Sequence, residues 1–184
     1  MNRVRAATGA DAPAIRRIDV ECWRTTYAGL LPDRMLLGLS AAERARVWAN
    51  YVARHPGDLV VSVDEADRVR GFGNCGPSRE TGGVFRGEIF TLYVATDHQG
   101  TGIGRALMWA LFGRLVRAGL PSAVIWVLRD NPSRYFYERL GGRLASHRPL
   151  RVFGATVEAI AYGWPDLPER LRAEPRTRRL TGEG

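Results

Sequence analysis

The sequence predicts an α/β fold, a central β-sheet with helices packed on its faces. Three observations carry that reading. Strand-like and helix-like stretches alternate along the chain, and a long helical pattern separates the fourth strand from the fifth. The fifth, Ala123–Leu128, is apolar on both faces, as a strand in the middle of a sheet should be.

Each element has its own signal. Residues 3–6 read as a short strand. Asp11, with Pro13 soon after, opens an amphipathic helix whose Ile15, Ile18, Cys22 and Tyr27 lie along one stripe, and Leu30-Leu31-Pro32-Asp33 breaks it. Ser40 with Glu43 spells a capping box for a second helix. Asp58–Val63 and Val69–Cys75 are strands joined by the polar turn Asp64–Asp67. Residues 76–87 read as loop, and the β-branched and aromatic Glu88–Val94 as the fourth strand. The helix over 102–118 carries Ile103, Leu107, Leu111 and Leu115 at helical spacing and stops at Gly119 and Pro121. Asn131-Pro132 reads as an N-cap and first helical position for a short helix over 132–140, ended by Gly141-Gly142. Arg143–Leu150 and Arg151–Trp164 form a closing antiparallel pair, so one domain is expected over 1–164. Residues 165–184, with three Pro, five Arg and four acids, read as a solvated tail.

Composition narrows the function classes. A chain of 184 residues suffices for one domain with a real core. No apolar run approaches membrane-spanning length, and Met-Asn-Arg-Val-Arg lacks the apolar centre of a secretory signal, so a cytoplasmic protein without membrane contact is expected. Cys22 and Cys75 lack metal or redox spacing, and His55, His98 and His147 are scattered, so no metal is expected. The net charge of +8 is carried by Arg alone, since Lys is absent. Residues 57–98 hold 4 Arg against 7 acids and residues 99–164 hold 9 Arg against 3, a swing from −3 to +6. Such a field suits a phosphorylated ligand; nucleic acid is not expected, because no recognised binding motif accompanies the charge.

That basic part contains Gln99-Gly-Thr-Gly-Ile-Gly-Arg105, placed where a strand turns into a helix. Glycines there let backbone approach a ligand and aim N–H groups at it, with the helix dipole adding positive charge. The guest of such a cradle is a phosphate or pyrophosphate. The dinucleotide fingerprint fails because residue 105 is Arg rather than Gly, and a P-loop fails for want of lysine.

The spelling that fits is Gln/Arg-x-x-Gly-x-Gly/Ala, with Gln99, Gly102 and Gly104 in the fixed places. It resembles the acetyl-CoA loop of the GCN5-related N-acetyltransferases, the GNAT superfamily. Other segments resemble the same family from residue 3 to residue 164. Trp23-Arg-Thr-Thr-Tyr27 with Gly29 and Pro32 looks like a motif bordering the acceptor pocket, Leu92-Tyr93-Val94 stands at the splayed fourth strand, and Asn131 with Phe136-Tyr-Glu-Arg-Leu-Gly141 resembles the segment that carries the family's tyrosine. The resemblance implies a mixed, mostly antiparallel sheet of about seven strands with helices on both faces. It also implies acetyl-CoA as acyl donor and a primary amine as acceptor, by direct attack without a covalent enzyme intermediate.

Roles follow from the resemblance residue by residue. Gln99, Gly100, Thr101, Gly102, Ile103, Gly104 and Arg105 would hold the pyrophosphate, Leu92, Tyr93 and Val94 the pantetheine arm, and Asn131 and Ser133 would add contacts. Tyr137 would protonate the leaving thiolate, whose conjugate acid has a pKa of about 8.5 against about 10 for tyrosine; Phe136, paired with Leu140, is the expected core residue. Tyr137 follows Asn131 by six positions, where many relatives have seven. Glu88 would take the amine proton; read as an ordinary residue, it is a strand-end glutamate neutralised by Arg86. Trp23 and Tyr27 would line the acceptor site. A small amine, a protein N-terminus or lysine, and a catalytically idle acyl-CoA sensor all stay open at this stage, as does a homodimer through the late strands.

Overall fold

In a computed structural model the protein is described over residues 2–29, 40–55, 57–80, 82–152 and 155–173. Seven strands form one sheet in the order β1-β2-β3-β4-β5-β7-β6. They are β1 (Arg3–Ala6), β2 (Leu59–Val63), β3 (Val69–Pro77), β4 (Gly87–Val94), β5 (Ala123–Leu128), β6 (Arg143–Val152) and β7 (Ala155–Trp164). All neighbours are antiparallel except β4 and β5. This is the mixed, mostly antiparallel sheet with helices on both faces that the sequence led us to expect.

Helix α1 (Ala12–Thr26) and helix α2 (Ala41–Arg54) lie on one face, where Ile15, Ile18, Cys22, Trp48 and Val52 pack on Val61 and Phe72. The Ser40 hydroxyl accepts the Glu43 N–H at 3.2 Å, which fixes the start of α2. The expected breaker Leu30–Asp33 lies outside the described residues. Helix α3 (Ile103–Arg117) crosses the other face and buries Ile103, Leu107, Met108, Leu111, Phe112 and Leu115 against Cys75, Ile89 and Ile125. It is the crossover that a parallel strand pair requires. At its end Leu120 N–H bonds Leu115 C=O and Gly119 takes φ +75°, the expected glycine stop.

Two boundaries move. Helix α4 (Arg134–Arg139) starts later than expected, because the Asn131 side-chain oxygen accepts the Ser133 N–H at 2.8 Å and folds residues 131–133 into a turn. Residues 165–173 are not a solvated tail. Helix α5 (Leu167–Ala173) seats a fully buried Leu167 in the α3 core, and Leu167 N–H bonds Pro121 C=O at 2.8 Å. Leu171 packs partly buried on the same core and the Arg170 guanidinium lies over the Trp109 ring, contacts that a charged composition hides when read from sequence. No helix among the described residues is long and apolar enough to cross a membrane.

Candidate active site

Strands β4 and β5 share a ladder only from Gly87–Ile89 against Ala123–Ile125. Beyond it a bulge bends β4: its register against β3 steps from Asn74↔Thr91 to Cys75↔Ile89, leaving Phe90 as the extra residue. The two strands part, and a cavity of about 700 Å³ fills the gap. Ladder geometry says which backbone groups face it. Ala95 N–H bonds Arg70 C=O, so by alternation Tyr93 also turns toward β3, while Leu92 and Val94 turn their polar groups to the cleft. Backbone contact from Tyr93 was an expectation that this register overturns; its hydroxyl is instead hydrogen-bonded to Tyr27. The Val94 carbonyl already accepts Gln99 Nε2 at 3.2 Å and Cys22 Sγ at 3.3 Å.

At one end of the cleft lies the glycine turn. Gly100 and Gly102 have φ of +75° and +88°, and a Cβ on either would meet nothing within 4 Å, so the turn presents open space. Gly102 flanks α3, whose first-turn amides have no intrahelical acceptor and no acidic side chain beside them. Gly104 is small for another reason: a Cβ there would press on the Phe136 ring at 3.2 Å. Gln99 tethers the turn to β4, and Thr101 Oγ1 donates to His98 C=O at 2.7 Å. Ile103 sits in the core, so only its backbone can serve a ligand. The Arg105 guanidinium lies over the Trp109 ring, 4.9 Å from its centroid. An anion-holding turn at the head of a strand with outward backbone groups fits a diphosphate carrying an extended amide arm.

Helix α4 supplies the far wall. Asn131 and Ser133 line the cleft, with the Asn131 oxygen committed to its local turn. Tyr137 and Phe136 both line it, and their expected roles in the core are exchanged. Tyr137 is the deeper, 5% exposed, packed edge-on against Phe136 and Trp164, whereas Phe136 is half-buried over Gly104. Burial pushes the Tyr137 hydroxyl well above its usual pKa, with a smaller push from Tyr27, so it holds its proton.

Glu88 is not where expected. It is 1% exposed and lines neither the main cavity nor the smaller one beside it. Its carboxylate accepts the Arg79 backbone N–H at 3.0 Å and is clamped by the Arg79 guanidinium, so Arg79 rather than Arg86 neutralises it. The bulge turns the strand between Glu88 and the cleft-facing residues, a bend that strand alternation does not foretell.

The smaller cavity, of about 240 Å³, shares Tyr27, Phe90, Thr91, Tyr93, Trp126 and Val127 with the main one and so continues the cleft. Trp23 and Tyr27, which the resemblance puts at an acceptor site, line this cavity with ring centroids 4.8 Å apart. Among the wall residues that the sequence reading missed, Asp19, Arg44 and Trp48 form one linked group. Asp19 is 1% exposed; its Oδ2 accepts Trp48 Nε1–H at 2.9 Å and pairs with Arg44 Nε at 3.2 Å. Desolvation raises the Asp19 pKa against the lowering pull of Trp48 and Arg44. The available signal was an acid inside the apolar stripe Ile15, Ile18, Cys22. Among the described residues no three His, Cys, Asp or Glu side chains gather as a metal set.

A mixed sheet whose central parallel pair splays beside a glycine turn defines an α/β protein with a cleft at the parting strands. Residues 13–142 match the acetyltransferase (GNAT) family, and the chain belongs to that family of N-acetyltransferases. The uncharacterized N-acetyltransferase YuaI of Bacillus subtilis (strain 168) is 31% identical over 167 residues, 91% of this chain and 95% of that protein. Among solved structures, yncA of Salmonella typhimurium with its cofactor acetyl-CoA superposes with a TM-score of 0.68 at 24% identity, covering 97% of this chain and 99% of that one. The paia N-acetyltransferase of Thermoplasma acidophilum, in complex with coenzyme A, gives 0.65 at 14%, covering 87% and 98%.

Proposed function

We propose that this enzyme moves an acetyl group from acetyl-CoA to the primary amine of a small molecule, by direct attack and without an acyl-enzyme. The observation that carries the reading is one continuous cleft with an anion-holding turn at one end, Tyr137 along it and a compact aromatic cavity beyond. Acetyl-CoA supplies a thioester whose carbonyl carbon forms the new C–N bond as its C–S bond breaks. The amides of residues 100–105 would hold the diphosphate, and the Leu92 and Val94 backbone, with Asn131 and Ser133 beside it, would align the arm, so most of the rate comes from positioning. Tyr137 would donate its proton to the departing sulfur. Among the described residues no acid lines either cavity except Asp19, which Arg44 and Trp48 already hold. The acceptor therefore enters as the neutral amine, its proton left to water. A cavity of about 240 Å³, below the usual range for drug-sized ligands, favours a small acceptor over a protein chain. The same proposal keeps the enzyme in the cytoplasm, with acetyl-CoA and an amine rather than nucleic acid as partners.

The test is release of free thiol from acetyl-CoA across an amine library, beside calorimetry with coenzyme A. Amine-dependent release is expected. Coenzyme A binding with no release for any amine would make the protein an acyl-CoA sensor instead.

A further inference from the structure

We infer that the acceptor carries a carboxylate next to an apolar or aromatic body, as a free α-amino acid does, and that Arg44 grips that carboxylate. This deepens the acetyltransferase reading and rests on it. The Arg44 guanidinium is held from two sides: its Nε edge faces buried Asp19 at 3.2 Å, and its face covers the Trp23 ring, 5.0 Å from the centroid. Asp19 is itself fixed by Trp48 Nε1–H at 2.9 Å. What remains is the pair of terminal nitrogens, which hydrogen-bond to no other described residue, on a side chain that is 24% exposed in the cavity wall.

A planar fork with both terminal donors presented, backed by an ion pair with Asp19 and the Trp23 ring, matches a carboxylate, two oxygens to two N–H groups. An ion pair serving only to tie α1 to α2 would satisfy Asp19 equally well with lysine. It would not need to sit in the wall of a cavity that opens on the reaction cleft. The remaining walls, chiefly Tyr27, Phe90 and Trp126, are aromatic, so the rest of the acceptor is apolar. Asp19 stands behind Arg44, 1% exposed, and among the described residues no other acid faces the cavity, so the described walls offer a polyamine no counter-charge. Asp19 and Trp48 are positioning residues in this arrangement.

The test compares phenylalanine and leucine with 2-phenylethylamine and phenylalanine amide, following thiol release from acetyl-CoA. A kcat/KM at least tenfold higher for the free amino acids is expected. Arg44→Lys keeps the charge beside Asp19 but loses the fork, so the preference should collapse at least tenfold through KM for the amino acid, with KM for acetyl-CoA unchanged. Equal or better turnover of the amide, of 2-phenylethylamine or of a peptide N-terminus overturns the inference and leaves the acetyltransferase reading standing. If no amine releases thiol, thermal denaturation with added phenylalanine and coenzyme A decides separately. Stabilisation of wild type but not of Arg44→Lys upholds the carboxylate grip, and its absence ends it. Asp19→Asn should likewise raise KM for the amino acid while near-UV circular dichroism stays that of the wild type; an unchanged KM would count against Asp19 as a positioning residue.

Discussion

The two ends of the cleft are built by different means. The proposed donor end is backbone: amides of the glycine turn and outward polar groups of β4, all within residues 92–105. The proposed acceptor end is side chains brought from α1, α2, β4 and β5, with Asp19, Arg44 and Trp126 more than a hundred residues apart at the extremes. A backbone site needs particular residues only where a Cβ or a forbidden φ would interfere, so its requirements collapse into a short string of glycines. A side-chain site needs only that certain groups meet, and many sequences do that. The proposed donor end is therefore written in one short stretch of sequence, whereas the proposed acceptor end is scattered along the chain.

The sharpest way to break this contrast is at Gly102. Gly102→Val forces a β-branched residue to φ +88° and sets a side chain in the open face of the turn. Coenzyme A affinity measured by calorimetry should fall by about a hundredfold or more, corresponding to about 2.8 kcal/mol. Because a Cβ there meets no protein atom, the fold should survive, with loss confined to about 1–2 kcal/mol of backbone strain. Undiminished binding would refute the backbone cradle.

Next comes the proposed proton donor, Tyr137, in the wall of the main cavity. Tyr137→Phe removes one hydroxyl and keeps the ring against Phe136 and Trp164. A fall in kcat of about a hundredfold, within the usual span for a general acid, is expected with KM for acetyl-CoA nearly constant. Since burial raises the wild-type Tyr137 above the ordinary tyrosine value, its ionisation should not depress kcat below about pH 10, and the rate should climb with pH as the acceptor amine loses its proton. A loss of affinity in place of turnover would make Tyr137 a packing residue.

The same contrast explains what sequence could disclose. The order of strands and helices follows period and punctuation, and Ser40, Gly119 and the apolar Ala123–Leu128 each announced themselves locally. The turn at 99–105 was legible because contiguous residues carry it. Glu88 misled because nothing local reveals the bulge at Phe90, which bends β4 between Glu88 and the cleft, or the loop arginine that clamps its carboxylate. Asp19 and Arg44 could not be joined, since their meaning lies in a pairing across two helices. Phe136 and Tyr137 are adjacent on one short helix, and only the position of Trp164 decides which is buried deeper.

Glu88→Gln separates the structural carboxylate from the catalytic cleft. Losing the charge that Arg79 clamps should cost about 1–3 kcal/mol in urea denaturation, with kcat changed less than about twofold. A large kcat loss at unchanged stability would restore Glu88 to the chemistry.

The smallest effect compares two buried aspartates on the α1 side. Asp11 is held by the Arg5 guanidinium at 2.8 and 2.9 Å and by Thr8 N–H at 2.7 Å; although desolvation opposes them, these bonds bring its pKa below the ordinary value. Unfolded Asp11 then binds protons more readily than folded, so its contribution to stability is present above the unfolded pKa of about 3.9 and disappears as pH falls through the folded value. At Asp19 desolvation prevails over Trp48 and Arg44, and the shift is upward. The folded state there holds its proton longer, so stability declines as pH rises from about 3.9 toward the folded value. Urea midpoints measured across the acid range should therefore move in opposite senses: Asp11→Asn flattens a rise of stability with pH, and Asp19→Asn flattens a fall. Matching profiles for the two variants would mean that Arg44 stabilises the Asp19 charge enough to erase the difference, leaving its guanidinium fully spent on that ion pair.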